Sequence, residues 1–94
     1  MTETAGLVIE ALERSSQRHP VTWVYVATVA GLMKSEDETP STTIKHCDGI
    51  MSDLKRHGLQ VITVPRDGYM PKSYYINKDV KTIELLGQLK KAIR

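Results

Sequence analysis

Residues 39–64 read TPSTTIKHCDGIMSDLKRHGLQVITV, and they contain both ends of one helix and the strand that follows it. Thr39 before Pro40 is typical of a helix start, because threonine caps free amide groups and proline fits the first helical position without losing a hydrogen bond. Gly58 stands where a residue in the left-handed conformation commonly ends a helix. These signals predict a helix from about residue 40 to residue 57.

The predicted helix has one apolar face and one polar face. The apolar residues that recur at helical spacing are Ile44, Cys47, Ile50, Met51 and Leu54. The residues that the same spacing turns outward are Thr42, Lys45, His46, Gly49, Ser52, Asp53 and Arg56. We therefore expect this helix to pack on one side and to present a polar surface on the other.

Two short strands are predicted after Gly58. The β-branched segment LQVITV, residues 59–64, predicts the first strand, and SYYI, residues 73–76, predicts the second. Prolines, an aspartate and a glycine interrupt the chain between them, so the strands should form a hairpin with a long tip. This tip carries two cations, Arg66 and Lys72.

The N-terminal segment predicts an amphipathic helix. Residues 3–18 place apolar side chains at helical spacing between glutamates and arginines. The helix should end near Arg18, because Pro20 disfavours helical geometry at the residue before it.

The segment VTWVYVATVAGLM, residues 21–33, can be interpreted as a buried strand or as a helix. Its length and its alanine and leucine residues favour a helix. Thr22 is the expected N-cap, and Val21 could lie in a short β-bridge just before the helix. The polar segment KSEDET, residues 34–39, predicts a connecting loop.

A last helix should begin at Asp79. Its apolar residues cover about half of the helical circumference, which is wider than the stripe of an ordinary surface helix. Such a face can pack on its own domain, on a second copy of the chain, or on both. We predict a homodimer whose contacts are Val80, Ile83, Leu86, Leu89 and Ile93.

Helix, helix, acidic loop, helix and β-hairpin follow one another in the order of a winged helix. The segment LKRHGLQVITVPRDGYM, residues 54–70, resembles the end of the recognition helix and the wing of OmpR/PhoB-type transcription effector domains. In that family a run like LRKKL leads into a strand ending in TVRGxGY.

The chain also departs from that family. Pro65 and Arg66 replace the arginine and glycine of the family's wing start, and MPKS is inserted before the second strand. We identify neither the family's N-terminal sheet nor its receiver domain, so a two-component signalling role is not expected. The resemblance implies an α+β fold, a winged helix-turn-helix with three helices and a hairpin wing. The predicted last helix is an addition to that layout, and a length of 94 residues leaves room for one domain, residues 1–94.

The charges are unevenly distributed along the 94 residues, whose formal net charge is +2. Residues 1–40 carry three basic and six acidic side chains, whereas residues 41–94 carry ten basic and five acidic ones. A basic half is expected of a protein that binds a polyanion, because lysines and arginines on phosphates release condensed counterions. Together with the resemblance, this predicts a sequence-specific regulator that binds double-stranded DNA.

In this hypothesis the third helix enters the major groove and the wing contacts the flanking backbone. Hydroxyl groups at the helix N-terminus can hydrogen-bond to phosphates, and the outward cations can bind guanines or phosphates. The candidate DNA-binding residues are Ser41, Thr42, Thr43, Lys45, His46, Gly49, Ser52, Arg56, Arg66 and Lys72. Asp48 and Asp53 count against the hypothesis, because carboxylates are repelled by phosphates.

Several other classes of function are not expected. Cys47 is the single cysteine, so no intrachain disulfide can form, and its neighbour His46 diverges from it by ~100° on a helix, which prevents a shared metal site with His57. No nucleophile or phosphate-binding motif is present, so we expect neither an enzyme nor a cofactor. The longest apolar run is too short to cross a membrane and no signal peptide is evident, so we expect a cytoplasmic protein.

A second hypothesis assigns the same fold to protein interaction. The acidic first half, the carboxylates of the third helix and the apolar excess of the last helix would suit a small phage or mobile-element protein that docks on a host protein. Replacement of Lys45 and Arg56 by alanine distinguishes the two hypotheses, because only the DNA-binding protein should lose its partner.

Overall fold

The computed structural model describes residues 3–32 and 39–92, which form an α+β fold of four helices and one antiparallel sheet. The elements in chain order are α1 (Glu3–Glu13), β1 (Val21–Thr22), α2 (Trp23–Val29), α3 (Pro40–Arg56), β2 (Val61–Val64), β3 (Ser73–Ile76) and α4 (Val80–Ala92). The loop predicted at residues 34–39 lies, apart from Thr39, outside the described residues.

The sheet has three strands in the order β1, β3, β2. β2 and β3 form the predicted hairpin, in which Val61 pairs with Ile76 and Val64 pairs with Ser73. On the other side of β3, Val21 pairs with Tyr74. The expected β-bridge at Val21 is therefore confirmed, and it ties the start of α2 to the hairpin.

α3 begins and ends as the sequence predicts. The side chain of Thr39 accepts a hydrogen bond from the amide of Thr42 at 3.3 Å, and Pro40 is the first helical residue. At the other end Gly58 adopts φ +98°, and the amide of Leu59 donates to the carbonyl of Leu54 at 3.1 Å. This pattern is a Schellman motif, which satisfies carbonyl groups that the helix end leaves free. Because Leu59 belongs to this motif, β2 begins at Val61, two residues after the predicted start at Leu59.

α1 is shorter than predicted, since it ends at Glu13 and not near Arg18. The reason is a tertiary contact of Ser15, which is buried. Its hydroxyl donates to the carbonyl of Leu12 at 2.5 Å and accepts the amide hydrogen of Ile76 from β3 at 3.3 Å. The contact of Ser15 with the sheet therefore overrides the helical propensity of this segment. A turn follows, in which Ser16 and His19 exchange backbone hydrogen bonds.

α2 is confirmed as a helix, although it has only seven residues. Thr22 is its N-cap as predicted, because its hydroxyl accepts the amide hydrogen of Tyr25 at 3.2 Å. The helix ends before Ala30 because Gly31 turns into the left-handed region at φ +69°. The prediction to residue 33 was therefore too long.

α4 begins after Asp79, whose carboxylate accepts the amide hydrogen of Thr82 at 2.7 Å. This backbone hydrogen bond holds the pKa of Asp79 below its usual value. Lys90 of α4 forms an ion pair with Glu13 of α1, which fastens the last helix to the first.

The core lies between the helices and one face of the sheet. Its buried side chains come from all four helices and all but the shortest strand, and they include Val8, Ile9, Leu12, Val26, Cys47, Met51, Leu54, Tyr74, Ile76, Leu86 and Leu89. Burial of Leu86 and Leu89 within the chain corrects the prediction that they contact a second copy.

The other three residues of the predicted dimer contact differ in what the structure shows of them. Val80 and Ile83 are 72% and 57% exposed, so they remain available to a partner. Ile93 lies outside the described residues.

Among residues 3–32 and 39–92, no helix combines the length and the apolar character needed to cross a lipid bilayer.

Candidate nucleic-acid interface

The polar face of α3 forms an open surface. Thr42, Lys45, His46, Gly49, Ser52, Asp53 and Arg56, which the helical spacing turns outward, are all exposed. All of them except Thr42 line a shallow groove of about 620 Å³, together with Leu32 and Ile50. The exposed face is thus confirmed, and on the apolar face Cys47, Met51 and Leu54 are buried as predicted. Ile44 and Ile50 are only half-buried. We call the seven exposed residues the outer face of α3.

Gly49 lies near the middle of the outer face. A Cβ atom built at this position meets nothing within 4 Å, so packing among the described residues does not require glycine. Glycine inside a helix is less favourable than alanine by about 1 kcal/mol. Its presence therefore calls for another explanation, and close approach of a ligand to the helix backbone is one that the open space permits.

The hydroxyl residues at the start of α3 do not share one environment. Ser41 is exposed, and the hydroxyl of Thr42 lies 3.0 Å from that of Thr39 on the surface. Thr43, in contrast, is only 2% exposed, and its hydroxyl donates to the carbonyl of Thr39 at 3.2 Å. Thr43 cannot reach a ligand in this conformation, which corrects its assignment as a DNA contact.

Asp48 links α3 to the hairpin. One of its carboxylate oxygens accepts a hydrogen bond from the Tyr74 hydroxyl at 2.8 Å, and the other lies 2.7 Å from the Lys72 ammonium. Burial, followed by the hydrogen bond to Asp48, raises the pKa of Tyr74 far above its usual value. We call these three residues the Asp48 cluster.

The Asp48 cluster changes the interpretation of two residues. Asp48 was expected to repel phosphates, but Lys72 compensates its charge and two donors occupy its oxygens. Lys72 was expected to contact DNA from the wing tip, but it lies beside the start of β3 and is bound to Asp48. Lys72 is therefore a residue that positions the hairpin, not a free cation at its tip.

Two cations of the candidate set are exposed and differ in their surroundings. Arg56 forms an ion pair with Asp53 at 3.5 Å, in which both side chains are at least 70% exposed. Such surface pairs contribute little, and Arg56 can exchange this partner for a phosphate at small cost. Lys45 is exposed, and within the described residues no carboxylate forms an ion pair with it.

The loop between β2 and β3 covers residues 65–72, and residues 66–70 form the tip of the hairpin. Asp67 and Met70 exchange two backbone hydrogen bonds of 3.1 and 2.9 Å around Gly68, whose φ is +58°. The tip and the first turns of α3 line one groove of about 640 Å³, which also includes Trp23. Arg66 is exposed in this loop, and no described carboxylate forms an ion pair with it.

The histidines and the cysteine are not brought together. Cys47 is buried and its thiol donates to the carbonyl of Trp23 at 3.7 Å, whereas His46 and His57 are exposed. Over the described ranges, no three His, Cys, Asp or Glu side chains stand close enough to hold a metal ion.

Sequence reasoning missed the Asp48 cluster and the exposure of Tyr69 at the hairpin tip. Asp48 lies 24 and 26 residues from its two partners, so their contact depends on how the hairpin folds back onto α3. The one available signal was the presence of an acidic residue between the two faces of α3.

Comparisons with protein-family models, with curated proteins and with solved structures find no match to this chain.

Proposed function

We propose that this chain is a winged helix-turn-helix domain that binds double-stranded DNA and regulates transcription. In this proposal α3 is the recognition helix, and the loop between β2 and β3 is the wing. The order of the elements supports the assignment, because three helices precede a hairpin and a short strand before α2 completes the sheet.

The observation that carries the proposal is the chemistry of the outer face of α3. Cations stand near both ends of this face, at Lys45 and Arg56, with Gly49 and Ser52 between them. The nearest carboxylate on the hairpin side, Asp48, is compensated by Lys72. A helix with long cations and small central residues can approach base edges closely and can donate hydrogen bonds to guanines or phosphates.

The size of this face predicts the length of DNA that it covers. Lys45 and Arg56 are eleven positions apart, which corresponds to about 16 Å along a helix. At ~3.4 Å per base pair, this distance matches roughly five base pairs of B-DNA. We therefore expect α3 to read one half-site of about that length.

We further propose that two copies bind together. Val80 and Ile83 are exposed near the start of α4 and would form the contact between the copies. Two-fold symmetry would then require a pseudo-palindromic operator, with half-sites about one helical turn apart.

The direct test is selection of duplexes from a random-sequence pool by the full chain, followed by gel shifts over a range of salt concentrations. We expect a preferred sequence and an affinity that falls steeply with salt. Lys45→Ala and Arg56→Ala should each weaken binding, whereas Lys91→Ala removes one exposed cation at the end of α4 and should have little effect. Failure of the pool to yield any bound duplex would contradict the proposal.

A second candidate function is docking on another protein. The observation that favours it is the exposure of three apolar side chains on α1 and α2, since Leu7 is 43%, Val24 41% and Tyr25 45% exposed, and Leu7 and Tyr25 line one shallow pocket. Affinity purification with the double variant Lys45→Ala, Arg56→Ala separates the candidates. A docking protein should retain a stoichiometric partner, and a DNA-binding protein should lose its duplex.

A further inference from the structure

Two large side chains lie fully or mostly in solvent at the hairpin tip. Tyr69 is 106% exposed and Met70 is 58% exposed, so the Tyr69 side chain has almost no contact with the rest of the chain. An aromatic ring is a large apolar surface, and its complete exposure is unfavourable in water. No packing within the described residues accounts for a tyrosine at this position.

The backbone holds this tyrosine in a defined place. The paired hydrogen bonds between Asp67 and Met70 close a tight turn, with Tyr69 inside it. At the base of the loop, the Lys72 carbonyl accepts the amide hydrogen of Trp23 at 2.9 Å, and the Lys72 side chain is bound to Asp48 on α3. The tip is thus anchored to α2 and to α3, which limits the conformational entropy that binding would remove.

The tip lies on the same side of the molecule as the start of α3. Arg66, Gly68 and Tyr69 line the same groove as Pro40 and Ile44. A duplex that places α3 in its major groove would bring its next backbone strand and minor groove against this tip. Arg66 supplies a cation that suits the phosphates there.

We propose that Tyr69 is a wedge that enters the minor groove beside the α3 half-site and partly unstacks one base step. The ring would exchange water for the faces of bases, and Arg66 would contact the adjacent phosphate. The duplex would bend toward the major groove of the wedged base step, and therefore away from the tip. This inference rests on the proposed function, since it requires that α3 bind duplex DNA.

The test uses the full chain and a duplex that the wild-type protein selects from a random-sequence pool. 2-Aminopurine is placed at successive positions outside the α3 half-site, and its fluorescence rises when neighbouring bases unstack. We expect one position to respond to the wild-type protein and to Tyr69→Phe, but not to Tyr69→Ala. Circularly permuted fragments should show a bend with the same dependence on the aromatic ring.

The affinity of Tyr69→Ala should fall by roughly 5- to 160-fold, which is the range of one aromatic stacking contact with a base. Arg66→Ala should weaken binding while the fluorescence change at saturation remains. Because the Tyr69 side chain is fully exposed, Tyr69→Ala should keep the wild-type circular dichroism and melting temperature.

The outcomes separate the two proposals. A wild-type protein that binds no duplex overturns the proposed function and the wedge together. A wild-type protein that binds its duplex with no fluorescence response and no bend, or with responses that Tyr69→Ala preserves, overturns the wedge alone. A loss of affinity for a protein partner in Tyr69→Ala, with unchanged DNA binding, would also overturn it.

Discussion

The hydroxyl of Tyr74 on β3 donates a hydrogen bond to the carboxylate of Asp48 on α3, at 2.8 Å. The tyrosine ring is fully buried, whereas the Asp48 side chain remains 41% exposed. The contact therefore joins the centre of the core to the edge of the outer face of α3. It fixes the orientation of the hairpin relative to the helix proposed to read DNA.

Tyr74→Phe should destabilise the fold and loosen the hairpin. The variant keeps the ring but removes the donor, so one carboxylate oxygen of Asp48 loses its hydrogen bond. Hydrogen bonds to charged groups contribute about 1.5–3 kcal/mol, and the partial exposure of Asp48 places the expected loss near the lower end. Urea unfolding at neutral pH measures it. Tyr69→Phe, which removes an exposed hydroxyl, is the control and should unfold at the wild-type midpoint.

The raised pKa of Tyr74 predicts a loss of stability in alkali. An unfolded tyrosine releases its proton near pH 10, whereas the buried hydroxyl of Tyr74 keeps it in the folded chain. The unfolded state then binds fewer protons, so the contribution is complete below about pH 10 and is lost as the pH rises further. Unfolding free energies between pH 8 and pH 11 should show this decline. The decline should be shallower in Tyr74→Phe, and equal slopes in the two proteins would contradict the assignment.

The lowered pKa of Asp79 predicts a second pH dependence, in acid. The charged carboxylate caps α4 through the amide of Thr82, so its stabilisation is present above the ordinary pKa of aspartate and is lost as the pH falls through the lower folded value. Asp79→Asn retains a capping oxygen without a titratable group. Thermal unfolding should show a weaker acid dependence for Asp79→Asn, and a lower melting temperature at all pH values for Asp79→Ala.

The sequence predicted a helix end correctly where the residues at that end favour one particular backbone conformation. The ends of α3 were predictable because Thr39, Pro40 and Gly58 each favour one backbone conformation. The C-terminal end of α1 was not, because Ser15 leaves the helix to bind β3, and only the folded chain brings Ser15 to Ile76. The same limit applies to the candidate site. Helical spacing predicts which side chains of α3 point to solvent. The pairing of Lys72 with Asp48, in contrast, depends on the path of the hairpin.

Ile83→Glu tests the proposed contact between two copies. Ile83 is 57% exposed on α4, and glutamate is a good helix former, so the variant should fold with little change in stability. Two equivalent glutamates brought together across a two-fold axis would repel each other. Sedimentation equilibrium should give the mass of a dimer for the wild-type chain and that of a monomer for the variant. A monomeric wild-type chain at micromolar concentration would show that Val80 and Ile83 do not join two copies.

Gly49→Ala separates stability from binding on α3. The added methyl group meets no atom within 4 Å and replaces a poor helix former, so the free energy of unfolding should rise by about 0.5–1 kcal/mol. The same methyl group would project from the middle of the outer face of α3, where the proposal places the DNA close to the backbone. Binding to a selected duplex should therefore weaken, by about tenfold if the helix is displaced enough to break one good base contact.

Gly87→Ala is the matched control, because Gly87 is also an α-helical glycine whose added Cβ would meet nothing within 4 Å. It makes the same substitution on α4 and should stabilise the chain to a similar degree. If both variants keep the wild-type mass and gain stability but only Gly49→Ala binds the duplex less tightly, the effect comes from the outer face of α3. Equal affinities of the two variants and the wild type would mean that the DNA does not approach the helix backbone at Gly49.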